Sequence, residues 1–323
     1  MEAPELTLCL AGDTMLGRGV AEVLSRPDRP ALFSDEVVEI AASADMFVLN
    51  LECCISARGE KWRSTHKPFF FRGPPEAVDV LSDLGVDCVT LANNHALDYG
   101  HDALVDTLDL LESAGIEWVG AGRDLTSARR PAVLHAGGLE VAVMGFTDHP
   151  RDFAAADETA GVAFADLGLG VPEWILDTIG GAEADITVVT PHWGPNMTAR
   201  PVPQVEAAAR KLVDAGATLV AGHSAHVFHG VRPPVLFDLG DFVDDYAVDP
   251  ILRNDLGLLW LVTLSPARLR RIEAIPLQLD YCFTKIATGA EAAVIEHRFR
   301  TACKEMDVDV TTQDGRLVVG EAV

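Results

Sequence analysis

Asp13, Glu52, Asn94, His95, His192, His223 and His226 each stand just past the point where an apolar run of this chain stops. They belong to the short motifs Gly12-Asp13, Asn50-Leu51-Glu52, Asn93-Asn94-His95, Pro191-His192-Trp193-Gly194 and Gly222-His223-Ser224-Ala225-His226, and Gly240-Asp241 forms a further one. Carboxylate and amide oxygens and imidazole nitrogens are the ligands of Zn, Mn or Fe. Such an ion lowers the pKa of water to ~7, and a pair of ions ~3.5–4 Å apart clamps the attacking and leaving oxygens of a displacement. The residue types therefore point to a divalent metal site, with one or two ions, suited to hydrolysis of a phosphoester or an amide.

Taken singly, each motif is ambiguous. Asp13 reads as a terminal metal carboxylate, but Gly-Asp is a common pair. Glu52 has two oxygens to bridge two ions, or serves as the acid of a helix first turn. Asn94 offers an amide oxygen. His95 reads as a general acid or a donor to a substrate oxygen, with Asp98 three residues on to orient its ring, or as a residue that only packs. His223 and His226 can reach one cluster, each through a ring nitrogen. Their joint placement after separate apolar runs carries the argument.

Those runs, residues 6–10, 46–49, 88–91, 186–189, 218–220 and 235–237, have the length and composition of strands. Helical spacing follows in residues 74–84, 101–114 and 204–215, stopped by Gly85, Gly115 and Gly216. The pattern is α/β, and in open α/β sheets ligands sit beyond the carboxyl ends of the strands. Residues 258–264 and 272–279 read as antiparallel strands of a second sheet or an edge, and residues 290–306 as a closing helix. There is no internal repeat and no evident linker, so a single domain with insertions is expected.

The chain has 323 residues, is 49% hydrophobic and carries a net charge of −24. That balance disfavours nonspecific binding to nucleic acid or to anionic membranes. It leaves room for a small anionic substrate in a locally basic pocket. Residues 56–73 supply such a reversal: Arg58, Lys61, Arg63, His66, Lys67 and Arg72 alternate with Trp62, Phe69, Phe70 and Phe71. They form either a substrate loop that grips carboxylate or phosphate or an ordinary surface loop with an aromatic anchor. Six cysteines without a CxxC pair read as free thiols. Residues 1–25 lack a basic then apolar leader and no apolar run reaches ~18–20 residues, so the expectation is cytoplasmic, with no membrane anchor. No GxxxxGK[ST] loop is present.

On residues 11–18 (AGDTMLGR), Asn50-Leu51-Glu52, residues 71–74 (FRGP), residues 91–100 (LANNHALDYG), His192-Trp193-Gly194, Gly222-His223 with His226, and residues 239–242 (LGDF), the chain resembles the CapA family of capsule and poly-γ-glutamate biosynthesis proteins. The likeness keeps motif order from about residue 6 to about residue 264. The family is similar to calcineurin-like metallophosphoesterases. The resemblance implies a metallophosphatase-like, four-layer α/β/β/α sandwich of two mixed sheets over residues 1–280, with residues 281–323 as an extension packed on the same domain.

It further implies Asp13, Glu52 (bridging), Asn94, His192, His223 and His226 as metal ligands, with His95 and Asp98 catalytic. Lys61, Arg63, Lys67, Arg72, Asn93, Trp193 and Asp241 then face a γ-glutamyl-type or other anionic substrate. Two features depart from the phosphoesterase pattern: Met15 replaces its first histidine, and an extra residue separates His223 from His226, a spacing that CapA-like proteins share. Asp241 departs instead from the CapA family, which often has Asn there. The activities in view are a metal-dependent hydrolase or transferase, a non-catalytic accessory subunit of a polyglutamate or capsule synthase, and an amide-forming or cyclising enzyme.

Overall fold

The computed structural model describes residues 4–63 and 67–320. Among them are a ten-stranded and a six-stranded sheet, with two small two-stranded pairs. In the larger sheet Leu6–Thr14, Met46–Leu51, Cys88–Thr90 and Glu117–Val119 run parallel as neighbours. In the smaller one Leu139–Thr147, Ile186–His192, Leu219–Ala221 and Val235–Leu236 do the same. Leu6–Thr14, Met46–Leu51 and Cys88–Thr90 of one set and Ile186–His192 and Leu219–Ala221 of the other run into the polar motifs, so both sheets deliver chemistry at one edge.

Alternation along the strands builds the layers. Side chains of a strand point to opposite faces in turn. Leu6, Leu8, Leu10 and Val48 pack with Val141, Val143, Ile186, Val188 and Trp260 in the core between the sheets. Cys9, Ala11, Phe47 and Leu49 face the other way, against Val20, Leu81, Leu104 and Leu108 of covering helices. On the smaller sheet Met144, Phe146, Val189 and Val220 meet Ile175, Ile179, Val205 and Leu212 of a second helical layer. The four-layer α/β/β/α order is thus written in alternate residues of the same strands.

The helices fall near their expected limits: Ala77–Asp83, Gly100–Ala114 ending at a left-handed Gly115, Pro203–Asp214, and Gly289–Lys304. The antiparallel pair is Leu256–Ser265 with Arg268–Asp280. It is not a second sheet: Leu256–Ser265 pairs directly with Leu6–Thr14 and extends the larger sheet. Beyond residue 280, Arg316–Gly320 pairs with Arg268–Asp280, and Ile295, Phe299 and Cys303 enter the core between the sheets. No helix of the described residues is long and apolar enough to cross a membrane.

Candidate metal centre

Asp13 sits where the first strand kinks. The register to Met46–Leu51 shifts between Ala11 and Asp13, and a bulge of this kind re-aims the following side chain. A side chain on Gly12 would put its Cβ 1.8 Å from the Gly240 carbonyl oxygen. Glycine is required there, because the Asp13 amide donates to that same oxygen at 2.9 Å. The contact brings Asp241 alongside Asp13 in parallel register.

Residues from both sheets then converge. Asp13 Oδ1 accepts from Asn50 Nδ2 at 2.7 Å and lies 3.8 Å from His223 Nδ1, while Oδ2 lies 3.2 Å from His226 Nδ1. Glu52 Oε1 is 4.0 Å from His192 Nε2 and 3.8 Å from His95 Nε2. His192 and His223 face each other, Nδ1 to Nδ1, at 2.8 Å. His226 Nδ1 pairs with Asp241 Oδ1 at 2.9 Å, and its Nε2 with Asn196 Nδ2 at 3.1 Å. Two ligand triplets result, Asp13–His192–His223 and Asp13–Glu52–His226. Asp13 is common to both.

The donor set fits a divalent ion. Both Glu52 oxygens, Asn94 Oδ1, His192 Nε2, His223 Nε2 and Asp241 Oδ2 are buried with no hydrogen-bond partner among the described residues. Native proteins rarely leave such groups unpaired, because each carries its full desolvation cost. Burial, then the neighbouring Asp13, pushes the Glu52 carboxyl well above its usual range. Burial pushes the His223 imidazole down to about 4 and His192 well down, so both present lone pairs at neutral pH. For His226 burial opposes charging, but Asp241, Asp13 and Glu52 outweigh it and raise its pKa. Burial would likewise raise Asp13, yet His226, His223 and Asn50 hold it below the usual carboxylate value. Met15 is packed among apolar residues of the helix-side core and adds nothing to the cluster.

A backbone turn held by a carboxylate shapes the histidine loop. Ser224 and His226 both have positive φ, 126° and 60°, conformations that cost energy for such residues. Asp238 holds the turn in place by accepting from the Ala225 amide at 2.8 Å and the Gly240 amide at 3.0 Å.

His95 stands between the cluster and a cavity of about 380 Å³ lined by Asn94, His149, Asn196, Trp62, Phe153 and Phe69, among others. Its Nδ1 pairs with Asp98 Oδ2 at 2.6 Å, an oxygen that also accepts from the Phe71 amide at 2.6 Å. Lys67 Nζ is 2.9 Å from Asp98 Oδ1 and donates to the Asn94 carbonyl oxygen. Burial holds the His95 pKa down to about 4 against the pull of Asp98.

The other residues expected at a substrate divide. Asp241 belongs to the cluster, and Lys67 lines the cavity but is paired with Asp98. Asn93 is buried: its amide donates to Asn50 Oδ1 and the Leu51 carbonyl oxygen and accepts from the His95 amide, so it braces the turn. Trp193 turns into the smaller sheet's outer core, donating to the Phe237 carbonyl oxygen at 3.0 Å. Arg72 stacks 4.1 Å over the Tyr99 ring and donates to the Arg58 carbonyl oxygen. Lys61 lies over Phe70, and Arg63 is exposed. His66 lies outside the described residues.

Sequence reasoning passed over His149, whose ring is 5.2 Å from His192 and whose Nδ1 pairs with Asp148 Oδ1 at 2.5 Å. It also passed over Asn196, Asp238 and Tyr246. For His149 a signal existed, because Thr147-Asp148-His149 ends a strand as the other motifs do.

Comparison with known proteins adds relatives. The model of the family described as bacterial capsule synthesis protein PGA_cap matches residues 7–246. A probable polyglutamine synthesis accessory protein of Mycobacterium tuberculosis is 29% identical, over 97% of this chain and 95% of its own. The PGA biosynthesis protein CapA of Bacillus subtilis is 32% identical, over 74% of this chain and 63% of its own. Among solved structures, a hypothetical protein from Thermus thermophilus superposes with a TM-score of 0.50 at 15% identity, covering 84% of this chain and 99% of that one.

Proposed function

The chain belongs to the bacterial capsule synthesis family PGA_cap, and from that premise we propose a metal-dependent hydrolase or transferase acting on an amide or peptide bond of γ-glutamyl type, or on a phosphoester, in a CapA-like biosynthetic role. The observation that carries this reading is the set of partnerless buried oxygens and nitrogens, led by both oxygens of Glu52, gathered from two sheets beside a cavity. Asp13, Glu52, Asn94, His192, His223 and His226 would hold one or two ions of Mn, Zn or Fe.

A divalent ion bound there supplies Lewis-acid polarisation and acidified water at neutral pH. The chain's own residues do the rest. Asp98 accepts a hydrogen bond from His95 Nδ1–H and fixes the ring, leaving Nε2 toward Glu52. A pKa held to about 4 keeps that nitrogen unprotonated, so His95 takes the proton of the attacking water as general base and passes it to the leaving group. Lys67 pairs with Asp98 and ties it to the Asn94 backbone. Trp62 and Phe153 wall the cavity and limit water around the reacting bond.

A screen of γ-glutamyl amides and phosphoesters tests the reading. Activity should vanish with chelator and return with Mn or Zn. His95→Gln should lower kcat by about 10²–10⁴-fold with metal content unchanged. Full activity in metal-free protein would contradict the proposal. The mycobacterial relative, described as an accessory protein of polyglutamine synthesis, supports a second reading, a non-catalytic accessory subunit of a poly-γ-glutamate or capsule synthase. In that case the metal-loaded protein turns over no substrate but binds a synthase in pull-down.

A further inference from the structure

The cations expected to read an anionic substrate are mostly committed elsewhere: Lys67 to Asp98, Arg72 to Tyr99 and the backbone, Lys61 to Phe70. Arg18 is placed differently. Its Cζ lies 5.1 Å from the Phe69 ring, 5.5 Å from Phe71 and 5.9 Å from Tyr246. Phe71 packs on His95 at 4.3 Å and Tyr246 on His226 at 5.4 Å, so the guanidinium is one ring away from two imidazoles of the centre. Phe69 also lines the cavity and is 52% exposed.

The local backbone is built to hold Arg18 there. Its φ is +51°, in the left-handed region. A Cβ on Gly17 would fall 2.7 Å from the Arg72 amide nitrogen, and one on Gly19 would fall 2.3 Å from the Tyr281 hydroxyl. Asp245, 5% exposed, lies 3.2 Å from Nε and also accepts from the Gly19 amide at 2.9 Å. Among the described residues the two Nη groups have no hydrogen-bond partner, and the side chain is 35% exposed. Aromatic faces attract the cation and shield it from competing water.

Building on the metal-hydrolase reading, we propose that Arg18, stacked on the Phe69 ring that lines the cavity, binds a carboxylate of the substrate. A guanidinium fork suits bidentate carboxylate. With Asp245 already beside the guanidinium, a monoanion meets less repulsion there than a phosphate dianion would.

The test uses Mn-loaded protein and two probes, γ-glutamyl-glutamate and the same dipeptide with its C-terminal residue as the diamide. Binding is read by calorimetry and cleavage by released amino acid. Wild type should bind the carboxylate probe about 10- to 100-fold tighter. Arg18→Gln should bind both alike, and Arg18→Lys, which keeps a charge beside Asp245, should fall between. Equal binding of the two probes by wild type, binding of neither, a preference retained in Arg18→Gln, or tighter Arg18-dependent binding of inorganic phosphate would each overturn the assignment. A preference lost in Arg18→Gln without cleavage in wild type would leave Arg18 in place and remove the hydrolase reading instead.

Discussion

Glu52 places two buried oxygens beside three imidazoles without a hydrogen bond to either. An isolated buried carboxylate costs several kcal/mol, so its presence favours binding of a cation at the expense of stability. Glu52→Gln should therefore move two measurements in opposite directions. The melting temperature of chelator-treated protein should rise, and metal affinity should fall by at least about tenfold.

His229 gives a pH signature. Its Nε2 meets the Thr198 carbonyl oxygen at 2.7 Å, and burial pushes its pKa down to about 4. An unfolded imidazole titrates near ~6.5, so between those values the unfolded chain binds a proton that the folded one refuses. Stability is unaffected above that window and falls through it as pH drops, by roughly 3 kcal/mol in all. Denaturant midpoints of His229→Asn should depend less on pH than those of wild type between about pH 6.5 and 4.5.

At this scale the strand-end ligands were legible because polar side chains directly after apolar runs stand out. His149 follows the strand Leu139–Thr147 in the same way, but Gly145 and Thr147 interrupt the apolar run before it and blur where that strand ends. Arg72 was recognisable as a cation, but its direction is set by Tyr99 and a carbonyl oxygen that no local pattern reveals.

Among the elements, the loop that carries His223 and His226 depends on a residue outside it. Asp238→Ala would leave the buried amides of Ala225 and Gly240 unpaired, at roughly 1–3 kcal/mol each. We expect a lower melting temperature and weaker metal retention together. A loss of stability with metal retention intact would show that the loop holds its shape unaided. The helices were readable from their periodicity and glycine stops. The pairing of Leu256–Ser265 with Leu6–Thr14 was not. A strand's own residues fix which face is buried, but its neighbour is chosen by contacts with residues far away along the chain.

Across the whole molecule, the layers follow from alternation that puts Leu8 and Leu10 between the sheets and Cys9 and Ala11 beneath the helices. The same arrangement aligns the parallel ends of both sheets, so that Asp13 and Glu52 of one meet His192 and His223 of the other. A metal bound here would need both sheets, since neither supplies the ligand set alone. Metal content per chain, measured by elemental analysis after loading with Mn or Zn and desalting, tests it directly. Wild type should retain one or two ions, and both Asp13→Asn, in the larger sheet, and His192→Ala/His223→Ala, in the smaller, should lose them while remaining folded. No ion retained by wild type, or full retention in either variant, would contradict the account.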